Sequence, residues 1–283
     1  MYNAGLILEG GGMRGVYTAG VLDVFLENNI EFANIYGVSA GSCHACSYMS
    51  KQQGRAYRVA VDYLDDPNYC GTKTFLRTGN IFGVEMLYSQ IPNVLDPFDY
   101  ETFKKYPGNF YAVLTDVDTG EPVYVKVKDL NKQMWAIRAS SSLPLVSKSL
   151  KVHGHTYLDG GVADSIPIQK AIEDGNTKNV VILTREEGYQ KEPNRTMRLL
   201  KMRYPKNKAF VRKMGNRHIR YNETLAFLEE EEKAGRVFII RPKEKVEVGR
   251  IEKNRKKLEA LYQIGLEDGR NAMTALKQYL ENE

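Results

Sequence analysis

Two short glycine-bearing turns, Gly10-Gly11-Gly12-Met13-Arg14-Gly15 and Gly37-Val38-Ser39-Ala40-Gly41, each follow an apolar run and open a helical pattern. The apolar runs, Ala4 to Leu8 and Ile35 to Val38, are short and β-prone. Between them Val16, Ala19, Leu22, Phe25 and Leu26 recur at helical spacing. Strand, helix and strand in succession make a βαβ-like opening, so the sequence predicts an α/β fold. In a G-x-S-x-G elbow the serine occupies a strained strand-to-helix turn, and glycines two residues to either side leave room where the backbone doubles back. That places the Ser39 hydroxyl at the mouth of a sheet, above a helix N-terminus. Successive N–H groups of Gly10 to Gly15 can converge on an anion, and the helix that follows adds its positive dipole end. A serine beside such an anion trap points to acyl transfer.

With 283 residues, 42% of them hydrophobic, the chain has enough apolar material for one large α/β domain, or for a domain with a small appendage. Intrinsic disorder is excluded. The three cysteines, Cys43, Cys46 and Cys70, form no even-numbered framework. Cys43-x-x-Cys46 lacks the second pair of a metal site and falls inside the helix after the elbow, so it reads as two buried small residues one turn apart. No charged segment leads into an apolar one at the N-terminus, and nowhere do 18 uncharged apolar residues run together. The expectation is a soluble, reduced, cytoplasmic protein.

Farther along, Asn109 to Asp116 and Pro122 to Val127 flank the turn signal Asp118-Thr119-Gly120-Glu121 and predict a hairpin. Val180 to Thr184 and Val237 to Ile240 are further strands, the second preceded by a helix from Asn222 to Ala234 that stops at Gly235. From about Glu247 the pattern becomes helical, with Ile251, Leu258, Leu261 and Tyr262 before Gly265 and Met273, Leu276 and Leu280 after it. The expected division is a main domain over residues 1–245 and a C-terminal helical extension over 246–283. Tyr63 to Pro107 carries no chemical signature and is expected to supply pocket walls from loops.

The glycine loop, the elbow, the segment Ala139-Ser140-Ser141-Ser142-Leu143-Pro144 and the triplet Asp159-Gly160-Gly161 follow one another in the order found in patatin-like phospholipases. Over roughly residues 4 to 185 the chain resembles that family, and most of all its bacterial cytoplasmic branch with a C-terminal helical extension. The resemblance implies a three-layer sandwich with a mainly parallel central sheet flanked by helices. It implies a serine acyl hydrolase for lipid esters, without metal or organic cofactor, in which Ser39 matches the nucleophile and Asp159 the base of a Ser-Asp dyad. The amides of Gly11, Gly12 and Met13 match the oxyanion hole, and Gly10, Arg14, Gly15, Gly37, Gly41, Gly160 and Gly161 match the motif positions around them.

The residues themselves leave alternatives beside this. Asp159 can be a turn aspartate capping its own backbone. Arg14 can brace the glycine loop through side-chain hydrogen bonds or be a solvated helix-start arginine. Of the histidines, His44 is too close to Ser39 in sequence, His153 and His155 precede Asp159, and only His218 has the order of a Ser-Asp-His triad; it sits among Arg212, Arg217 and Arg220. Gly10 to Gly15 also satisfies G-x-G-x-x-G, yet the acidic residue that a dinucleotide fold puts at the end of its second strand is missing. A catalytically silent membrane-surface protein is the third class. Pro193 to Asn222 holds no acidic residue, while Arg195, Arg198, Lys201, Lys208 and Arg220 alternate with apolar residues. Such a stretch fits an anionic membrane surface, or a helix pair whose basic face is balanced by Glu229 to Glu232. No nucleic-acid motif accompanies the charge.

Overall fold

The computed structural model describes residues 1–282. Its strands are β1 (Tyr2–Leu8), β2 (Phe32–Val38), β3 (Asn109–Asp116), β4 (Pro122–Lys126), β5 (Leu150–Val152), β6 (His155–Asp159), β7 (Asn179–Ile182) and β8 (Val237–Ile240). They form one sheet in the order β5-β6-β3-β2-β1-β7-β8, with β4 on β3. Pairing is parallel from β3 through β2, β1 and β7 to β8, and antiparallel among β3, β4, β5 and β6.

Both faces of the parallel part are covered. Alternate residues of β1 enter different layers: Ala4, Leu6 and Leu8 join the core that holds α1 (Val16–Glu27) and α2 (Ala40–Met49). Ile7 joins Ile168, Ala171, Tyr221, Leu225 and Leu228 on the opposite face, supplied by the helices Ile168–Glu173 and Arg217–Lys233. A strand buried on both sides needs a near-continuous apolar run, which is what Ala4 to Leu8 offers. The architecture is the α/β fold that the sequence predicts, in the three-layer form that the family resemblance implies.

The expected hairpin is present as β3 and β4. Other boundaries move. Glu247 to Asn254 is irregular, and the C-terminal helix runs unbroken over Arg255–Glu281, through Gly265 and Gly269. Gly265 is no stop signal because it is a packing point: a Cβ there would run into the Tyr17 carbonyl of α1. Glu283, the last residue of the expected extension, lies outside the described residues. The stretch expected as loops is largely helical, with Thr72–Thr78, a wide π-type segment at Met86–Leu95 that accommodates Pro92, and Tyr100–Lys105. Among the described residues no helix is long and apolar enough to cross a membrane.

Candidate active site

The register of β3 brings Ser39 and Asp159 together. Tyr111, Ala112 and Val113 pair with both β2 and β4, so those two strands lie on opposite edges of β3. Leu114 and Thr115 pair with both β4 and β6, so β6 shares the edge of β2. β2 ends with Val38 opposite Val113, and β6 ends with Asp159 opposite Leu114, the next residue along. The chain leaves both strands at one point, and the residues leaving are Ser39 and Asp159. A Cβ at Gly160 would strike the Val113 carbonyl, which is why Asp159 is followed by glycine at this junction.

Ser39 has φ 55° and ψ −121°, a left-handed backbone that costs an L-residue roughly 1–3 kcal/mol. The elbow compensates through close approach. A Cβ at Gly37 would come within 2.7 Å of the Ser42 Cα, and one at Gly41 would run into the Leu8 carbonyl. A chain of hydroxyls fixes the turn. The Ser39 N–H donates to Ser140 Oγ at 2.9 Å, and the Ser42 hydroxyl donates to the Gly37 carbonyl at 2.7 Å. The Ser42 proton being so placed, the 2.9 Å contact between Ser140 Oγ and Ser42 Oγ is donated by Ser140. Ser140, at the end of the helix Leu130–Ser140, therefore holds the elbow from outside.

Asp159 is buried. Its Oδ1 accepts the Gly161 N–H at 2.8 Å, the turn cap that a bland reading predicts, while Oδ2 is buried without a hydrogen-bond partner. Burial holds the carboxyl above its ordinary range; the Ser39 hydroxyl, the Gly161 amide, Arg217 and Arg250 pull it back in part. Oδ2 is free of any other partner, and the Ser39 hydroxyl is among the groups that favour the ionised carboxyl.

Among the described residues no hydrogen bond occupies the N–H of Gly11 or Gly12. The third expected donor is otherwise engaged: Met13 N–H donates to the Arg250 carbonyl at 3.0 Å. The irregular segment Glu247 to Asn254 lies across the loop so closely that a Cβ on Gly12, whose φ is +58°, would strike the same carbonyl. Arg14 is buried and makes no side-chain hydrogen bond among the described residues, its Nε without a partner. It neither braces the loop nor sits in solvent.

The histidines make no hydrogen bond with Ser39 or Asp159 among the described residues. His44 is buried in α2 beneath Gly15, where desolvation lowers it to about 4 and its Nε2 has no partner. His155 contacts Asp116 at 3.0 Å, and His218 contacts the Gly215 carbonyl at 3.0 Å. The acid-free stretch folds as Met197–Arg203, Lys208–Gly215 and the start of Arg217–Lys233. Glu229 to Glu232 do not balance it: Glu231 pairs with Arg236 and Glu232 with Arg241. Arg217 instead turns inward and donates to the Gly161 carbonyl and, at 3.1 Å, to Ser165 Oγ.

Two hollows meet at Ser39. One, of about 1070 Å³ with its mouth, is walled by apolar side chains such as Val16, Leu87, Ile91, Phe98, Met134 and Ile137. The other, of about 530 Å³, is lined by the glycine loop, Asp159 and four cations, Arg14, Lys191, Arg217 and Arg250. The sequence reading missed Lys191 and Arg250; isolated basic residues in irregular chain carry no pattern that would single them out.

A family model described as "Patatin-like phospholipase" matches residues 6–172, and one described as "Domain of unknown function (DUF6363)" matches 207–281. The chain is 34% identical over 189 residues to the uncharacterized protein YjjU of Escherichia coli (strain K12), covering 63% of this chain and 51% of that one. It is 25% identical over 197 residues to the probable lipid hydrolase 463L of Invertebrate iridescent virus 6, covering 63% and 66%. The chain thus spans about half the length of the E. coli relative. Among solved structures, VipD from Legionella pneumophila aligns with a TM-score of 0.46 at 10% identity, over 97% of this chain and 67% of that one.

Proposed function

The chain belongs to the patatin-like phospholipase family, and we propose that it hydrolyses carboxylic esters of lipids through an acyl-Ser39 intermediate with Asp159 as its proton-transfer partner. The observation that supports this reading is the convergence, where β2 and β6 end on one edge of β3, of Ser39, held at positive φ, and Asp159, whose Oδ2 is buried without a partner. Ser39 Oγ attacks the ester carbonyl carbon and its proton passes to Asp159. The resulting oxyanion accepts the Gly11 and Gly12 amides; Met13 joins them only when Arg250 releases its N–H. Collapse expels the alcohol, which takes the proton from Asp159. Water then attacks the acyl-serine with the same carboxylate as base, releasing the fatty acid and restoring Ser39. Burial serves the cycle, because a carboxylate raised above its ordinary range is a better base.

A fluorophosphonate probe tests the assignment. Labelling should fall on Ser39 alone, and Ser39→Ala should abolish hydrolysis of p-nitrophenyl esters with the fold intact; labelling at Ser42 or Ser140 would refute it. Within the same reading, Arg195 to Arg220 contacts an anionic membrane surface peripherally. Leu199 and Met202 are 55% and 71% exposed beside Arg198 and Lys201. Reversing Arg198, Lys201 and Lys208 to glutamate should weaken co-sedimentation with anionic vesicles, and salt should do so too, since exposed charges are screened over about 10 Å at 0.1 M.

A further inference from the structure

The alcohol side of Ser39 is more positive than its own carboxylates can balance. Arg14, Lys191, Arg217 and Arg250 line that hollow, and the only carboxylates lining it are Glu9 and Asp159. Glu9 is already satisfied: Oε2 accepts the N–H and hydroxyl of Thr184 at 2.6 and 2.9 Å, and Oε1 accepts the Tyr221 hydroxyl at 2.6 Å. Asp159 spends Oδ1 on Gly161, and its Oδ2 is buried without a partner. Among the described residues none of the four cations forms an ion pair. The Lys191 ammonium rests 3.8 Å from the centroid of the Tyr221 ring, and the Arg217 fork keeps donors beyond those given to Gly161 and Ser165. Burial, with Arg217, Arg250 and Arg14 nearby, brings Lys191 down to about 6 despite Glu9.

We propose that Lys191, Arg217 and Arg250 form a subsite for a phosphate carried by the alcohol half of the ester, so that the substrate spans Ser39 with its acyl chain in the apolar hollow and its phosphate among these cations. All three residues lie outside the stretch matched by the patatin-like model, on the segment after β7, on the helix Arg217–Lys233 and on the segment crossing the glycine loop. Arginine forks and a lysine point charge are the donors that suit phosphate oxygens. A bound anion beside Lys191 favours its protonated form; the four cations then exceed Glu9 and Asp159 by two positive charges, which matches a phosphomonoester near its dianionic form. A carboxylic ester within a few atoms of a phosphate, as in an acylated glycerol phosphate, fits both hollows at once.

This inference rests on Ser39 being the nucleophile, and the experiment separates the two. An acylglycerol phosphate and the monoacylglycerol of the same chain, below their micellar concentrations, should differ at least tenfold in kcat/KM in favour of the phosphate. Lys191→Met combined with Arg250→Met should bring that ratio close to one. Inorganic phosphate should compete with the phosphorylated ester. Equal kcat/KM for the two esters in the wild type, or a ratio that survives in the double variant, would overturn the subsite. Acceleration of the uncharged ester by inorganic phosphate, without any preference for the phosphorylated one, would make the anion a free effector and overturn it equally. Should no ester be turned over, the nucleophile assignment fails, and calorimetry with glycerol 3-phosphate and Ser39→Ala protein still decides the subsite. Binding that is lost when Lys191→Met and Arg250→Met are added to Ser39→Ala supports it; no binding to Ser39→Ala, or binding that survives those two changes, refutes it.

Discussion

On its two sides Ser39 is walled in opposite materials. One hollow is built mostly from aliphatic and aromatic side chains of α1, α2 and residues 55–143, and the other is lined by cations of the glycine loop and the C-terminal third, from buried Arg14 through half-buried Lys191 and Arg217 to exposed Arg250. Between them lies a floor of backbone: the elbow, the glycine loop and the Asp-Gly-Gly turn. An ester long enough to touch both walls must itself be amphipathic, with the reacting carbonyl at the boundary. Apolar walls discriminate weakly, by about 0.8 kcal/mol for each methylene buried. Charged walls discriminate strongly, because an unpaired buried charge is costly.

Replacing the base should have the largest effect, since it removes the floor from both sides at once. Asp159→Asn should cost on the order of 10² to 10⁴ in kcat, the range of general-base catalysis. In the unaltered protein, activity should rise with pH through an ionisation above the ordinary carboxylate range, because burial raises Asp159 and only its ionised form accepts the Ser39 proton. The stability effect has the opposite sign. A raised carboxyl keeps its proton to higher pH in the folded state than in the unfolded one, so ionising it costs stability as pH climbs through that window. Asp159→Asn should therefore melt higher than wild type near neutral pH while being inactive. His44→Gln should leave the acid limb of the profile in place; its disappearance would show that an imidazole, not the carboxylate, sets it.

Next in size is a change confined to the apolar wall. Leu87→Ala should raise KM for a dodecanoyl ester by about tenfold, the transfer free energy of the lost methyl groups, and leave a butanoyl ester unaffected. Equal effects on both chain lengths would show that the acyl chain takes another path. The smallest effect is expected at the outer support of the floor. Ser140→Ala deprives the Ser39 N–H of its acceptor and should lower kcat about fivefold, a net hydrogen bond of roughly 1 kcal/mol, with KM unchanged for either kind of ester. A selective change in KM for one kind would place Ser140 in a wall instead.

The floor could be read from sequence because its rules are steric and local. Gly37, Gly41 and Gly160 stand where a Cβ meets backbone, and such positions leave glycines at fixed offsets. The strands bearing the motifs were legible for the same reason, being short apolar runs between turns. The walls were not. Met86–Leu95 holds Pro92 in a wide helix that its sequence does not announce. Met13 loses its amide to a carbonyl nearly the whole chain away, and no periodicity signals that partner. Arg217 stands in an acid-free basic run that gives no sign of which way it points; its inward direction is set by the Gly161 carbonyl, a tertiary contact. Ser39 and Asp159 were matched by motif, while the reason they come to one place, two strands sharing one edge of β3, is topological.

The strap of Arg250 across the glycine loop has a consequence in time. A chain emerging from the ribosome completes the elbow, β3 and the Asp-Gly-Gly turn well before Arg250 is synthesised, and the most distant contact is the last that can close. Until then the Gly12 and Met13 backbone has lost its outer support. Nascent protein therefore holds Ser39 in its elbow before the glycine loop is set, so the proposed ester cleavage should switch on late in biogenesis, when the C-terminal third docks.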